Sequence, residues 1–178
     1  MEYQVAQKPK LFPNSWLKVF AIVLVGLLTV SFIGSAIPMD KIQAQQLLEE
    51  AKKALPQTIS TDAIFLNNFR ASILMTIPGI GIVLAGIILY NTGVVFGAIG
   101  VTTNIYGPLL MLVVAITPFF WFEFFAYAAG VTQSICLTHG ILKKKIRREI
   151  KRTAFVIGLI ALFLLLGAAV EVLFINRA

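Results

Sequence analysis

The sequence predicts an all-α membrane protein with about five transmembrane helices, a broken or re-entrant helix in the middle and one short extracytoplasmic amphipathic helix. Three observations lead there. Of 178 residues, 58% are hydrophobic and 13% charged, and the mean hydropathy is +0.89. A soluble domain carries roughly 45–50% apolar and about 25% charged residues, so this chain has too little polar surface to cover a water-soluble globule. The apolar residues also fall in blocks long enough to cross a bilayer, at roughly 20 residues per helix. Finally, seven of the fifteen basic residues crowd into Lys143, Lys144, Lys145, Arg147, Arg148, Lys151 and Arg152, between two apolar blocks. The net charge of +7 would suit nucleic acid, but its placement is the topological signal of a membrane protein. The expected partner is the lipid bilayer, not nucleic acid. The whole of 1–178 reads as one integral membrane domain.

The first apolar block, residues 16–37, follows Lys8 and Lys10 and contains Lys18. Gly34, Ser35 and Ala36 resemble a signal-peptidase site, but a signal-peptide core is about 7–15 residues long. A block of spanning length reads as an uncleaved anchor. Residues 39–55 form the expected amphipathic helix, with Asp40 as N-cap and Gln43 completing a capping box. Its apolar face is Ile42, Leu47, Leu48, Ala51 and Leu55; Glu49, Glu50, Lys52 and Lys53 take the wet side, and Pro56 ends it. It is expected to lie on the surface.

From residue 63 to 138 the chain is almost continuously apolar and suits three more spans, placed at 63–90, 92–117 and 119–138. The breaks are expected at residues 90–93 (YNTG), at 104–108 or at Thr117-Pro118. Broken helices at membrane depth need protein or water around them, so 92–118 is expected to face other helices. A last span follows at 153–175. Charge supports the count. The segment 38–62 sets Lys41, Lys52 and Lys53 against Asp40, Glu49, Glu50 and Asp62, a net of −1, whereas the seven basic residues of 139–152 face only Glu149, a net of +6. An odd number of crossings between 63 and 138 keeps the N-terminus and the 139–152 loop together on the cytoplasmic side of the cell membrane. That loop sets topology and can hold lipid headgroups, at about 1 kcal/mol per basic residue.

Arg70 and Glu123 are charged residues inside apolar sequence, and Glu171 lies near the end of the last span. Each costs roughly 2.5–3.5 kcal/mol on insertion scales, so a polar cluster in the outer half is expected. Arg70 is expected to pair there with Glu123, in a cluster with Glu171, Asn67, Asn68 and Tyr127. Asn91 with Thr132, Gln133 and Ser134 is expected to form a second polar level near the inner surface. Gly93, Gly97 and Gly100, and Ala126, Ala129 and Gly130, permit close helix contact. Cys136 reads as a small core residue and His139 as a solvated or capping residue at a helix end. No catalytic, metal or cofactor residue is expected, because no phosphate-binding loop, zinc motif or nucleophile elbow is present.

Residues 64–70 (IFLNNFR), followed after a glycine-rich run by residues 90–97 (YNTGVVFG), resemble the stage II sporulation protein M family, whose members show an Asn near the start of one span and an NG…LG turn before the next. The family's Pro-His-Gly-x-x-Glu signature is matched at Pro118 and Glu123, and the alanines and glycine after it at Ala126, Ala129 and Gly130; Phe119 and Phe120 stand where the family has His and Gly. The resemblance covers about 20–178. It implies an integral membrane protein of about five spans, whose relatives in spore formers act in a membrane-anchored wall-remodelling complex with catalysis supplied by partners. The expected function is therefore a non-enzymatic membrane scaffold or accessory subunit, with other membrane subunits and further copies of the chain as partners. A small oligomeric transporter or channel, and a structural subunit of a larger membrane enzyme complex, are the alternatives.

Overall fold

The computed structural model describes residues 12–54, 60–144 and 146–176. Expectations resting on Lys8, Lys10, Leu55, Pro56, Lys145 and the Arg148 side chain lie outside the described residues. Those residues form seven helices and no strand: α1 (Asn14–Ser35), α2 (Lys41–Ala54), α3 (Thr61–Met75), α4 (Gly81–Thr103), α5 (Gly107–Ala115), α6 (Pro118–Leu142) and α7 (Ile146–Ile175). The all-α class and the broken middle are as expected. By length and composition, α1, α4 and the 149–175 part of α7 can each cross a membrane; α5 and α6, bent by 94°, make a fourth candidate if taken as one span.

The span limits differ from the expected ones in the middle of the chain. The block at 63–90 is cut at 76–80, where Pro78 cannot donate to a helical ladder and Gly79 takes φ +86°. The turn expected at 90–93 does not form, and α4 runs through it. There the Thr92 hydroxyl is absorbed by the Ile88 carbonyl, 3.0 Å away, and Gly93 is a contact residue: a Cβ on it would collide with the Ser31 carbonyl of α1. Small residues here let two backbones touch instead of turning the chain. The break comes later, at Asn104, whose left-handed backbone (φ 57°) closes α4 with a 2.8 Å bond from the Ile105 amide to the Gly100 carbonyl. Both candidate turns are used, since α5 starts after Tyr106 with Pro108 in its first turn and α6 starts at Pro118. The α4 part of 92–118 is packed as expected, whereas α5 turns Leu109, Leu112, Val113 and Ile116 outward.

Named contacts fix the direction of the helices. α3 and α6 run together, Asn68 meeting Glu123, Ile77 meeting Ser134 and Gly79 meeting Thr138. α7 runs against α6, with Thr153 at Gln133 and Phe174 at Phe119. α1 also opposes α6, Trp16 lying at Gln133 and Phe20 at Phe125, and it runs alongside α4, Ser31 at Gly93 and Ser35 at Gly97. α6 is the central helix, buried along Phe124, Tyr127, Val131 and Ser134, and α7 shows it a stripe of Val156, Ile160, Leu164 and Ala168. The outward faces carry Ile22, Val25, Val83, Ile87, Leu162 and Leu165, apolar surface that water would not tolerate at this extent. α2 packs on α4 and is capped as expected: the Gln43 amide donates to Asp40 Oδ1 at 2.8 Å, and the Asp40 amide to Gln43 Oε1 at 3.2 Å.

Candidate functional site

Two polar groups lie inside the helical layer, at opposite ends. In the first, α3, α6 and α7 converge. Asn68 sits two turns into α3 and donates from Nδ2 to Glu123 Oε1 at 2.5 Å; Asn67 donates more weakly to Asn68 Oδ1 at 3.3 Å. Glu123 is in this position because Pro118 starts α6 just before it, at the sharp bend after α5. Glu171 reaches the same level from α7 and lies within electrostatic reach of Glu123, as does the Tyr127 hydroxyl one turn along α6. Both glutamates are partly buried and Tyr127 is buried. Gly167 lets the α7 backbone close on this spot, where a Cβ would stand 3.2 Å from Phe122 Cβ and 3.9 Å from Glu123 Cγ.

Five of the six residues expected in this cluster thus belong to one neighbourhood, with Asn67 at its edge. Arg70 does not join it. Its side chain is exposed, and the one ion pair among the described residues is Arg152–Glu149. A helix advances about 100° per residue, so Arg70, two positions past Asn68, faces away from the seam. The ion pair expected between Arg70 and Glu123 is replaced by an amide–carboxylate hydrogen bond.

The second group holds the basic end together. Gln133 is fully buried; it accepts from Trp16 Nε1 at 3.4 Å and donates to Thr153 Oγ1 at 2.9 Å, tying α1, α6 and α7. Arg152 is 5% exposed and pairs with Glu149 at 2.9 Å, while Lys143, Lys144, Arg147 and Lys151 are exposed. A cavity of about 460 Å³ opens beside them, lined by Trp16, Cys136, His139, Glu149 and Arg152 among others. Ser134 donates to the Ile77 carbonyl at 2.6 Å and Thr138 accepts from the Gly79 amide at 2.8 Å, which satisfies the backbone freed at the α3–α4 break. A polar level at Gln133 and Ser134 therefore forms at the basic end, but Asn91 is exposed on α4 and takes no part. Sequence reasoning missed Glu149 and Arg152 as a buried pair; their i, i+3 spacing inside a cationic run was the available signal.

Outward-facing aliphatic side chains, helices of spanning length and polar groups turned inward define an integral membrane protein. The family comparison is consistent with that. The family described as Stage II sporulation protein M matches residues 12–174, and the chain belongs to that family. No curated protein and no solved structure matches it significantly.

Proposed function

We propose that this chain is a non-enzymatic scaffold or accessory subunit of a membrane protein complex. It sits in the cell membrane as a multi-pass protein, with the N-terminus and the 139–152 segment cytoplasmic. α1, α3, α4, α6 and α7 make five crossings, alternating in direction, and α2 and α5 lie on the outer side. At 15 residues, α3 is about 22 Å long, and the 76–80 break completes its crossing. The observation that carries this reading is where the interior polar groups are directed. Asn68 and Glu123, Gln133 with Trp16 and Thr153, Ser134 with Ile77, and Thr138 with Gly79 each join one helix or break to another. Chemistry used that way holds a shape, and leaves α2, α5 and the basic segment as surfaces for other subunits. Family membership fits the same role, since the resemblance implies a complex in which partners do the catalysis.

The test is extraction in mild detergent. The expected result is co-purification with defined membrane partners, together with no ion flux from the purified protein in liposomes. A second reading, a small transporter, draws on the two carboxylates beside the bent α5–α6 pair, as broken helices with buried polar groups are a pointer to transport sites. Flux that falls in Glu123→Gln would favour it over the scaffold.

A further inference from the structure

We propose that the cavity at the cationic end, between α1, α6 and α7, seats one anionic phospholipid. The headgroup phosphate lies at Ser15 and His139, beside Arg152, and the start of an acyl chain lies on Val19 and Ile135. The volume of about 460 Å³ falls in the range of ligand sites, roughly 300–1,000 Å³. The lining changes character with depth. α1 starts at Asn14 and α6 ends at Leu142, so Ser15 and His139 stand at the mouth of the cavity. Val19 and Ile135, each four residues further along its helix, line it about 6 Å deeper. A wall that is polar above and aliphatic below fits an amphiphile, whereas a free phosphate would leave the lower part unfilled.

Charge at this end selects an anion. Lys143, Lys144, Arg147 and Lys151 are exposed there, and Arg152 stands in the cavity wall. Glu149 is the one carboxylate lining the cavity among the described residues, and its pairing with Arg152 at 2.9 Å neutralises it. An imidazole carries an N–H donor in either neutral tautomer, and a serine hydroxyl carries another, so His139 and Ser15 both have donors for phosphate oxygens. Trp16 contributes its ring to the wall, since its Nε1 donates to Gln133 at 3.4 Å. The row Phe12, Trp16, Phe20, with centroids 4.7 and 5.5 Å apart, independently sets the depth. Aromatic rings of this kind collect at the headgroup boundary, and basic pockets between spanning helices are a recurring seat for anionic headgroups. The exposed cations attract any anionic surface; the cavity holds a single molecule. The site needs the chain to cross a bilayer, but neither the scaffold role nor the proposed sidedness.

The experiment is native mass spectrometry of the purified full chain, released from nanodiscs of equal parts phosphatidylglycerol and phosphatidylcholine. One retained phosphatidylglycerol per chain is expected, favoured over phosphatidylcholine by about fivefold or more, the attraction of about one basic residue. Ile135→Trp and, on the α1 wall, Val19→Trp fill the floor without changing charge and should each abolish the preference. Cys136, the single cysteine of the chain, lines the cavity and gives a readout that needs no bulky substitution. Its reaction with N-ethylmaleimide should slow saturably, by about the same fivefold, as phosphatidylglycerol replaces phosphatidylcholine in the nanodisc. Leu142→Cys in a Cys136→Ser background, at an exposed position on the last turn of α6, should keep its rate. Equal retention of the two lipids by the wild type would overturn the proposal. So would a preference unchanged in both tryptophan variants, which would assign it to the exposed lysines and arginines. Equal slowing at positions 136 and 142 would also overturn it, as an effect of surface charge. Protection of Cys136 by inorganic phosphate as strong as that by the lipid would overturn it in favour of a free anion.

Discussion

Asn68 is the residue on which the α3–α6 contact turns. Its 2.5 Å bond to Glu123 joins two helices across a partly buried seam, and a hydrogen bond of this kind contributes about 0.5–1.5 kcal/mol. Asn68→Ala is expected to lower unfolding stability in detergent by about that amount, whereas Arg70→Gln, on an exposed side chain, should change it by less than about 0.5 kcal/mol. A large loss from Arg70→Gln would restore the ion pair that the sequence suggests. Glu123 and Glu171 are legible in the sequence as charges in apolar surroundings; the choice of Asn68 over Arg70 as partner is not, because it depends on rotation of α3 about its axis by two residues. A titration prediction belongs to Asp62, at the exposed start of α3 and ahead of the apolar stretch. Its carboxylate accepts from the Ser60 hydroxyl and from backbone amides, which holds it below the ordinary aspartate range. A carboxyl lowered in the folded state contributes stability above its unfolded value, about pH 3.9, and loses it as pH falls through the folded one. Asp62→Asn should therefore weaken the start of α3, read as amide exchange at 61–65, at pH 7. The difference should close as the pH falls below about 4.

At the level of the element, α1, α2, α6 and α7 lie close to where apolar blocks and capping residues put them, and the Asp40–Gln43 box forms as its spacing dictates. The middle of the chain departs from its sequence pattern for a physical reason. Residues 90–93 carry turn-forming types, but local turn propensity is weaker than the tertiary contact that Gly93 makes with the Ser31 carbonyl, and a helix satisfies its own backbone where no water is available. The chain breaks instead at Pro78, which cannot donate to the helical ladder, and Gly79, whose backbone is left-handed. The distinction is measurable. Gly93→Ala, which forces Cβ against backbone, should cost about 1–3 kcal/mol as overpacking does. Gly86→Ala, in the same helix with nothing within 4 Å of where its Cβ would stand, should gain up to about 1 kcal/mol from helix propensity. Equal effects from the two substitutions would remove the contact as the cause of the uninterrupted α4.

For the whole molecule, apolar side chains face out and polar ones tie helices together within, and one end carries the cations. Composition makes the first property legible, and charge clustering the last. Which helices touch is not legible, since lipid-facing and helix-facing residues are equally apolar here and periodicity cannot separate them. Only small residues and misplaced polar groups mark the contacts. The proposed topology stands on α3 and α6 running together from the Asn68–Glu123 end towards the cationic segment, with that segment assigned to the inner side. The direct measurement is labelling by a membrane-impermeant maleimide on intact cells, in a Cys136→Ser background with single cysteines at Lys144, Arg147 and Gln46. The expected result is reaction at position 46 from outside and at 144 and 147 only after permeabilisation. Reaction at 144 or 147 in intact cells would contradict the orientation and with it the outer placement of the Glu123–Glu171 site.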